Sequence, residues 1–212
     1  MHAHSLIPIL SEKFDFPFDA ARRIDRVLAE AGLRAKGKGR NLPDMDRREA
    51  LTFLLACMVT DKITKANEEV LRWLSARGKV NMAPPPDDLD GWDTTDIEAS
   101  MEEEHHKAME AMIAPNKNQE GEVTLIDYLL AMCNLIKERA LKPECVQLDI
   151  DFTDLNACVV LNDKHGDEFI ADRFFVIDPT TDLPQDLTRR ATGIKRKCSI
   201  KGIALLEIID RT

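Results

Sequence analysis

The hydrophobic period of this chain changes once, at Pro143, and that change sets its fold class. Beyond it Val146, Leu148, Ile150 and Phe152 alternate with Gln147, Asp149 and Asp151, the two-residue period of a half-buried strand. Residues 157–161 and 169–177 read as two more strands around the polar turn Asn162-Asp163-Lys164-His165-Gly166-Asp167, and residues 199–209 supply one or two more. Ahead of Pro143 the apolar residues recur at helical spacing instead. In residues 124–141, Leu125, Leu129, Met132 and Ile136 share one side, so this helix is the natural packing partner of the sheet. The expectation is an α+β chain with its helices first and an antiparallel sheet last.

Four helices are expected before residue 80. The first spans 5–14, with Ser5 as N-cap and Pro8 tolerated in its first turn. Asp15-Phe16-Pro17-Phe18 breaks it, because a residue preceding proline is pushed out of the α region. A second begins at Phe18 or Asp19 and stops at Ala31-Gly32. A basic glycine-rich loop, Arg34 to Asn41, leads to a third over 46–60 with Ala50, Leu51, Leu54, Leu55 and Met58 as its stripe. A fourth over 65–77 carries Val70, Leu71 and Leu74, with Trp73 beside them. Residues 81–100 then lose all hydrophobic period and open on Pro84-Pro85-Pro86, which favours an extended backbone. The expected division is therefore a helical domain over 1–80, an acidic linker with a helix near 98–113 over 81–122, and a helix-plus-sheet domain over 123–212.

The formal net charge of −9 argues against a nucleic-acid partner only if taken as one number. Residues 1–80 hold 15 Lys/Arg against 11 Asp/Glu, residues 81–145 hold 5 against 15, and residues 146–212 hold 9 against 12. The acidity sits in the middle, and local fields decide which face approaches phosphate. On the second helix, advancing 100° per residue from Arg22 puts Arg26 at about 40° and Arg23 at about 100°. Ala20, Ile24, Val27, Leu28 and Ala31 fall opposite, at about 140–240°. The loop that follows has four positive charges and no acid from Leu33 to Pro43. Arginine's planar fork suits both guanine and phosphate, and glycines let a loop approach a phosphate backbone. Arg22, Arg23, Arg26, Arg34, Lys36, Lys38 and Arg40 are the candidate DNA contacts.

Leu10-Ser11-Glu12-Lys13-Phe14-Asp15-Phe16-Pro17, Ile24-Asp25-Arg26-Val27-Leu28-Ala29-Glu30-Ala31-Gly32-Leu33 and the Lys38-Gly39-Arg40 loop resemble winged and MerR-like helix-turn-helix proteins of the phage and prophage type. The resemblance covers about a quarter of the chain and implies a scanning helix, a recognition helix and a wing. Phe16-Pro17-Phe18 is bulkier than the usual turn of such proteins. A double-stranded DNA partner and a homodimer follow as expectations, because two-fold symmetry doubles the contacts.

Other signals carry less. Glu102, Glu103, Glu104, His105 and His106 contain Glu-x-x-His twice, but a di-iron bundle needs that motif from two helices and two further glutamates. Asp149 and Asp151 face one way and the alternation of a wet sheet face explains both; a nuclease would want Glu-x-Lys nearby, and Glu168-Phe169-Ile170 lacks the lysine. Five cysteines, Cys57, Cys133, Cys145, Cys158 and Cys198, make no C-x-x-C pair, and most sit in apolar patterns as small hydrophobes. Neither a phosphate-binding glycine loop nor a nucleophile elbow is present. No catalytic residue, metal or cofactor is expected. Arg189, Arg190, Lys195, Arg196, Lys197 and Lys201 form a second basic run: a charged loop and edge guarded against aggregation, a second nucleic-acid contact, or a site that captures the chain's own acidic middle.

No apolar run approaches the roughly 20 residues of a membrane span, and the first ten residues lack the features of a signal peptide, so a cytoplasmic location without membrane contact is expected. The expected function is a non-catalytic, sequence-specific DNA-binding protein, a dimeric transcriptional regulator of phage or bacterial origin. Two rivals use the same residues differently. One is a phage protein that inhibits a host defence complex, its acidic middle mimicking nucleic acid against a host protein partner. The other is a DNA-packaging adaptor.

Overall fold

A computed structural model describes residues 3–14, 16–36, 44–60, 62–80, 110–138, 141–152, 155–162, 168–178, 183–184 and 197–202. Within them the chain is α+β, with α-helices α1 (Ala3–Phe14), α2 (Phe18–Glu30), α3 (Arg47–Val59), α4 (Ala66–Leu74) and α5 (Leu125–Lys137). The strands are β1 (Arg77–Lys79), β2 (Glu122–Thr124), β3 (Val146–Asp151), β4 (Asn156–Asn162), β5 (Glu168–Phe175), β6 (Ile177–Asp178), β7 (Leu183–Pro184) and β8 (Lys197–Lys201). Six of them form one antiparallel sheet in the order β2-β1-β5-β4-β3-β8, and β6 pairs with β7 alone.

Local chemistry explains most element ends. α1 begins at Ala3, two residues before the expected cap, so Pro8 lies inside the helix and leaves one turn of its ladder without an N–H donor. α2 stops as a glycine-capped helix should: Gly32 has φ +76°, Gly32 N–H donates to Ala29 O and Leu33 N–H to Leu28 O. α3 opens on a capping box in which Asp46 accepts from Glu49 N–H while Glu49 reaches back to Asp46 N–H. Thr124 caps α5 by accepting from Asp127 N–H.

The fourth helix is shorter than its apolar pattern suggests. It ends at Leu74, and residues 77–79 leave it to enter the sheet between β2 and β5. Trp73 is buried and Leu71 is exposed, the reverse of the order expected from the stripe. Trp73 meets Phe152 edge-on at 6.0 Å, and that contact turns the helix. β1 can lie so close to β5 because residue 78 is glycine: a Cβ there would stand 2.1 Å from Arg173 O.

One hydrophobic core runs from Leu6 to Ile200. α3 is buried along nearly its whole length, from Ala50 to Cys57, and α5 on most of its circumference. α5 packs on α3 on one side and turns Tyr128 towards Phe174 of β5 on the other, at 5.0 Å. The expected division between residues 80 and 123 thus falls across a shared interior. Residues 81–109, which hold the acidic linker and the Glu-x-x-His pair, lie outside the described residues. Beyond them Ile113 is fully buried. No described helix is long and apolar enough to cross a membrane.

Candidate nucleic-acid interface

α1 and α2 contact each other across the break at residues 15–17. Phe16 N–H donates back to Leu10 O at 3.3 Å, and Pro17 O accepts from Ala21 N–H as the first hydrogen bond of α2. α2 buries Ala21, Ile24 and Leu28. Arg22, Arg23 and Arg26 are exposed on the far side, as 3.6-residue geometry requires once those three apolar positions face the core. Asp19 and Glu30 are exposed on the same arc, but at its first and last turns. Between Ala20 and Ala29 the one acid is Asp25.

Asp25 is taken up by Arg34. Arg34 Nη2 donates to Asp25 Oδ2 at 2.8 Å, Nε lies 2.6 Å from Oδ1, and Nη1 donates to Ala35 O at 2.8 Å. The Arg34 side chain is only 8% exposed. Arg34 therefore does not present a free fork to phosphate, contrary to expectation: the helix stop at Gly32 swings it back onto α2. Its effect is indirect, since it pairs with the one carboxylate that α2 carries between Arg22 and Arg26. Burial raises the Asp25 carboxyl above its ordinary value, and the guanidinium opposes that rise in part.

Glu49 joins Ala35 to Asp46, two described residues on either side of residues 37–43. Ala35 N–H donates to Glu49 Oε1 at 2.7 Å, and Asp46 N–H donates to Glu49 Oε2 at 3.0 Å. Met45 is buried beside this second stem. Lys36 is exposed; Lys38 and Arg40 lie outside the described residues. Glu49 was legible in the sequence as the fourth residue of Asp46-x-x-Glu49, but only as a cap.

Two further arginines are engaged within the fold. Arg47 Nη1 donates to Asn134 Oδ1 at 2.7 Å, and Arg48 Nη1 to Asp127 Oδ1 at 2.8 Å, so both tie α3 to α5. On the sheet, Lys197 stands opposite Asp151 and Lys201 opposite Gln147, and Lys201 is exposed. Arg189, Arg190, Lys195 and Arg196 lie outside the described residues. Asp149 accepts from Gln147 Nε2 at 2.9 and 3.1 Å. Among the described residues no group of three or more His, Cys, Asp or Glu is placed to hold a metal ion. Burial pushes the Cys133 thiol up to about 12 and the Cys57 thiol higher still, so neither is a ready nucleophile at neutral pH.

The described surface thus brings Arg22, Arg23 and Arg26 together, sets Lys36 at the root of the following loop and withdraws Arg34 into an ion pair. All four of Arg22, Arg23, Arg26 and Lys36 are exposed. Comparison of the chain with protein-family models, with curated proteins and with solved structures gives no match.

Proposed function

We propose that the chain is a DNA-binding protein in which α1 and α2 act as a helix-turn-helix, with α2 as recognition helix. The observation that carries the reading is the division of α2: Ala21, Ile24 and Leu28 face the core, and Arg22, Arg23 and Arg26 face outward. A helix held by one face and armed with arginine on the other is what major-groove readout needs. Lys36 and the basic loop after it supply phosphate contacts, which position without specifying. The protein acts as a homodimer in transcriptional control, and no chemistry is asked of it.

The test is quantitative binding to duplex DNA from the region upstream of its own gene, set against random duplex, with the mass of the free protein measured in parallel. The reading expects a discrete protected site and a dimer mass. Retention of one host protein complex from lysate, with no duplex bound, would instead favour the inhibitor, whose acidic residues 81–145 would occupy a basic groove. A ring-sized mass that binds DNA ends would favour a packaging adaptor.

A further inference from the structure

We propose that Glu49 is a positioning residue for Lys36, a single carboxylate that ties Ala35 to Asp46 in a neck and fixes where that lysine stands relative to the arginines of α2. The inference rests on the DNA-binding reading. Ten residues, 36–45, join two backbone N–H groups that donate to the two oxygens of this one side chain, Ala35 N–H to Oε1 and Asp46 N–H to Oε2. The near stem is also pinned to α2, because Arg34, next to Ala35, is paired with Asp25. Asp25 lies one helical turn from Arg22 and adjoins Arg26 in sequence, at about 300° on the wheel where Arg22 is 0° and Arg26 about 40°. The far stem is held by the buried Met45 and by Asp46, which caps α3. The root of the loop therefore sits against the flank of the arginine face. Fixing the backbone at Ala35, next to Lys36, removes freedom that would otherwise be lost when Lys36 engages a phosphate.

Glu49→Gln separates the neck from the helix cap. Glutamine serves in a capping box, since its carbonyl oxygen accepts from Asp46 N–H. Its amide nitrogen then replaces the oxygen facing Ala35 N–H, and two donors cannot bond. The full-length variant should melt close to the wild type, with faster amide hydrogen exchange at Ala35 and unchanged exchange at Asp46. Its affinity for a random duplex of about 30 base pairs, long enough for two half-sites, should fall about three-fold or more at low salt. The salt dependence should flatten by roughly one unit of slope, the mark of one lost phosphate contact. The sign is diagnostic: the substitution removes a negative charge, so simple electrostatics would tighten binding to DNA.

Equal or tighter duplex binding by Glu49→Gln, while the wild type binds, overturns the positioning role and leaves the DNA reading intact. Should the variant fail to fold, the wild type decides the neck alone: an Ala35 amide that exchanges as fast as that of the exposed Lys36 overturns it, and a protected one supports it. A wild type that binds no duplex overturns both readings.

Discussion

Arg34 is held against α2 by its ion pair with Asp25, and its Nη1 donates to Ala35 O. In the sequence it is the first of four loop cations; in the fold it is buried and paired with Asp25. Nine positions separate the partners, and no helical or strand spacing relates them, so the pairing is visible only once Gly32 has turned the chain. Breaking a buried pair from one side strands the other charge, which costs about 3–5 kcal/mol, whereas apolar residues of similar volume at both positions are often tolerated. Arg34→Met should accordingly lower the denaturation midpoint sharply, and Asp25→Leu with Arg34→Met should recover most of the loss. A single variant as stable as the wild type would mean that the pair contributes no more than an exposed one.

At the scale of elements, the hydrophobic period reads well wherever an element has one dry face. α2 is of that kind, and its span and orientation follow from spacing alone; β3 keeps the alternation from Val146 to Ile150, but Asp151, expected with Asp149 on a wet face, is buried. α3 and α5 are central, packed on more than one side, so a stripe found by period understates what they bury. Leu71 and Trp73 exchange roles because Phe152, distant in sequence, supplies an aromatic edge that no local pattern announces. The strand β1 consists of Arg77-Gly78-Lys79; its pairing depends on the bare Cα of Gly78 beneath Arg173 rather than on any apolar alternation. The exposed arginines of α2 were legible as a site for the same reason as the helix itself, whereas Glu49 as a loop neck was not, because its second partner is a backbone amide fourteen residues away.

The join between α5 and the sheet gives an element-scale prediction. Tyr128 O–H donates to Asp172 Oδ2 at 2.7 Å, with both groups buried. Burial, and then the carboxylate, raise the phenol well above its ordinary value of 10.0. The folded state therefore holds this proton where the unfolded chain releases it. Its contribution is fully present below pH 10 and is lost as pH rises from there towards the folded value. The buried thiols of Cys57 and Cys133, raised from 9.0 by burial, add a loss of the same sign that begins about one pH unit lower. Tyr128→Phe should be less stable at neutral pH and should lose stability less steeply above pH 10. Parallel alkaline profiles for the two proteins would show that the phenol does not control this range.

For the whole molecule, charge is distributed so that the arginine face of α2 shares one chain with a segment, residues 81–122, that has 12 acids against Lys107 and Lys117. Between exposed charges such a field acts over about 8–10 Å at physiological ionic strength and further at low salt. Replacing Asp87, Asp88, Asp90, Asp93, Glu102, Glu103 and Glu104 with their amides in the full chain should tighten binding to random duplex at low salt, and the difference should vanish as salt rises. Identical binding at low salt would reduce the segment to a spacer without electrostatic reach to the basic face.

The central claim is that α2 reads DNA through Arg22, Arg23 and Arg26, and its most direct test is footprinting and affinity on the upstream duplex for the wild type and for the triple alanine variant. All three side chains are exposed and outside the core, so the variant should melt as the wild type does. The account predicts that it loses the discrete footprint and about 1–3 kcal/mol for each arginine that contacts a base, while retaining weak, salt-sensitive binding through the loop. A triple variant with undiminished affinity and the same footprint would contradict it.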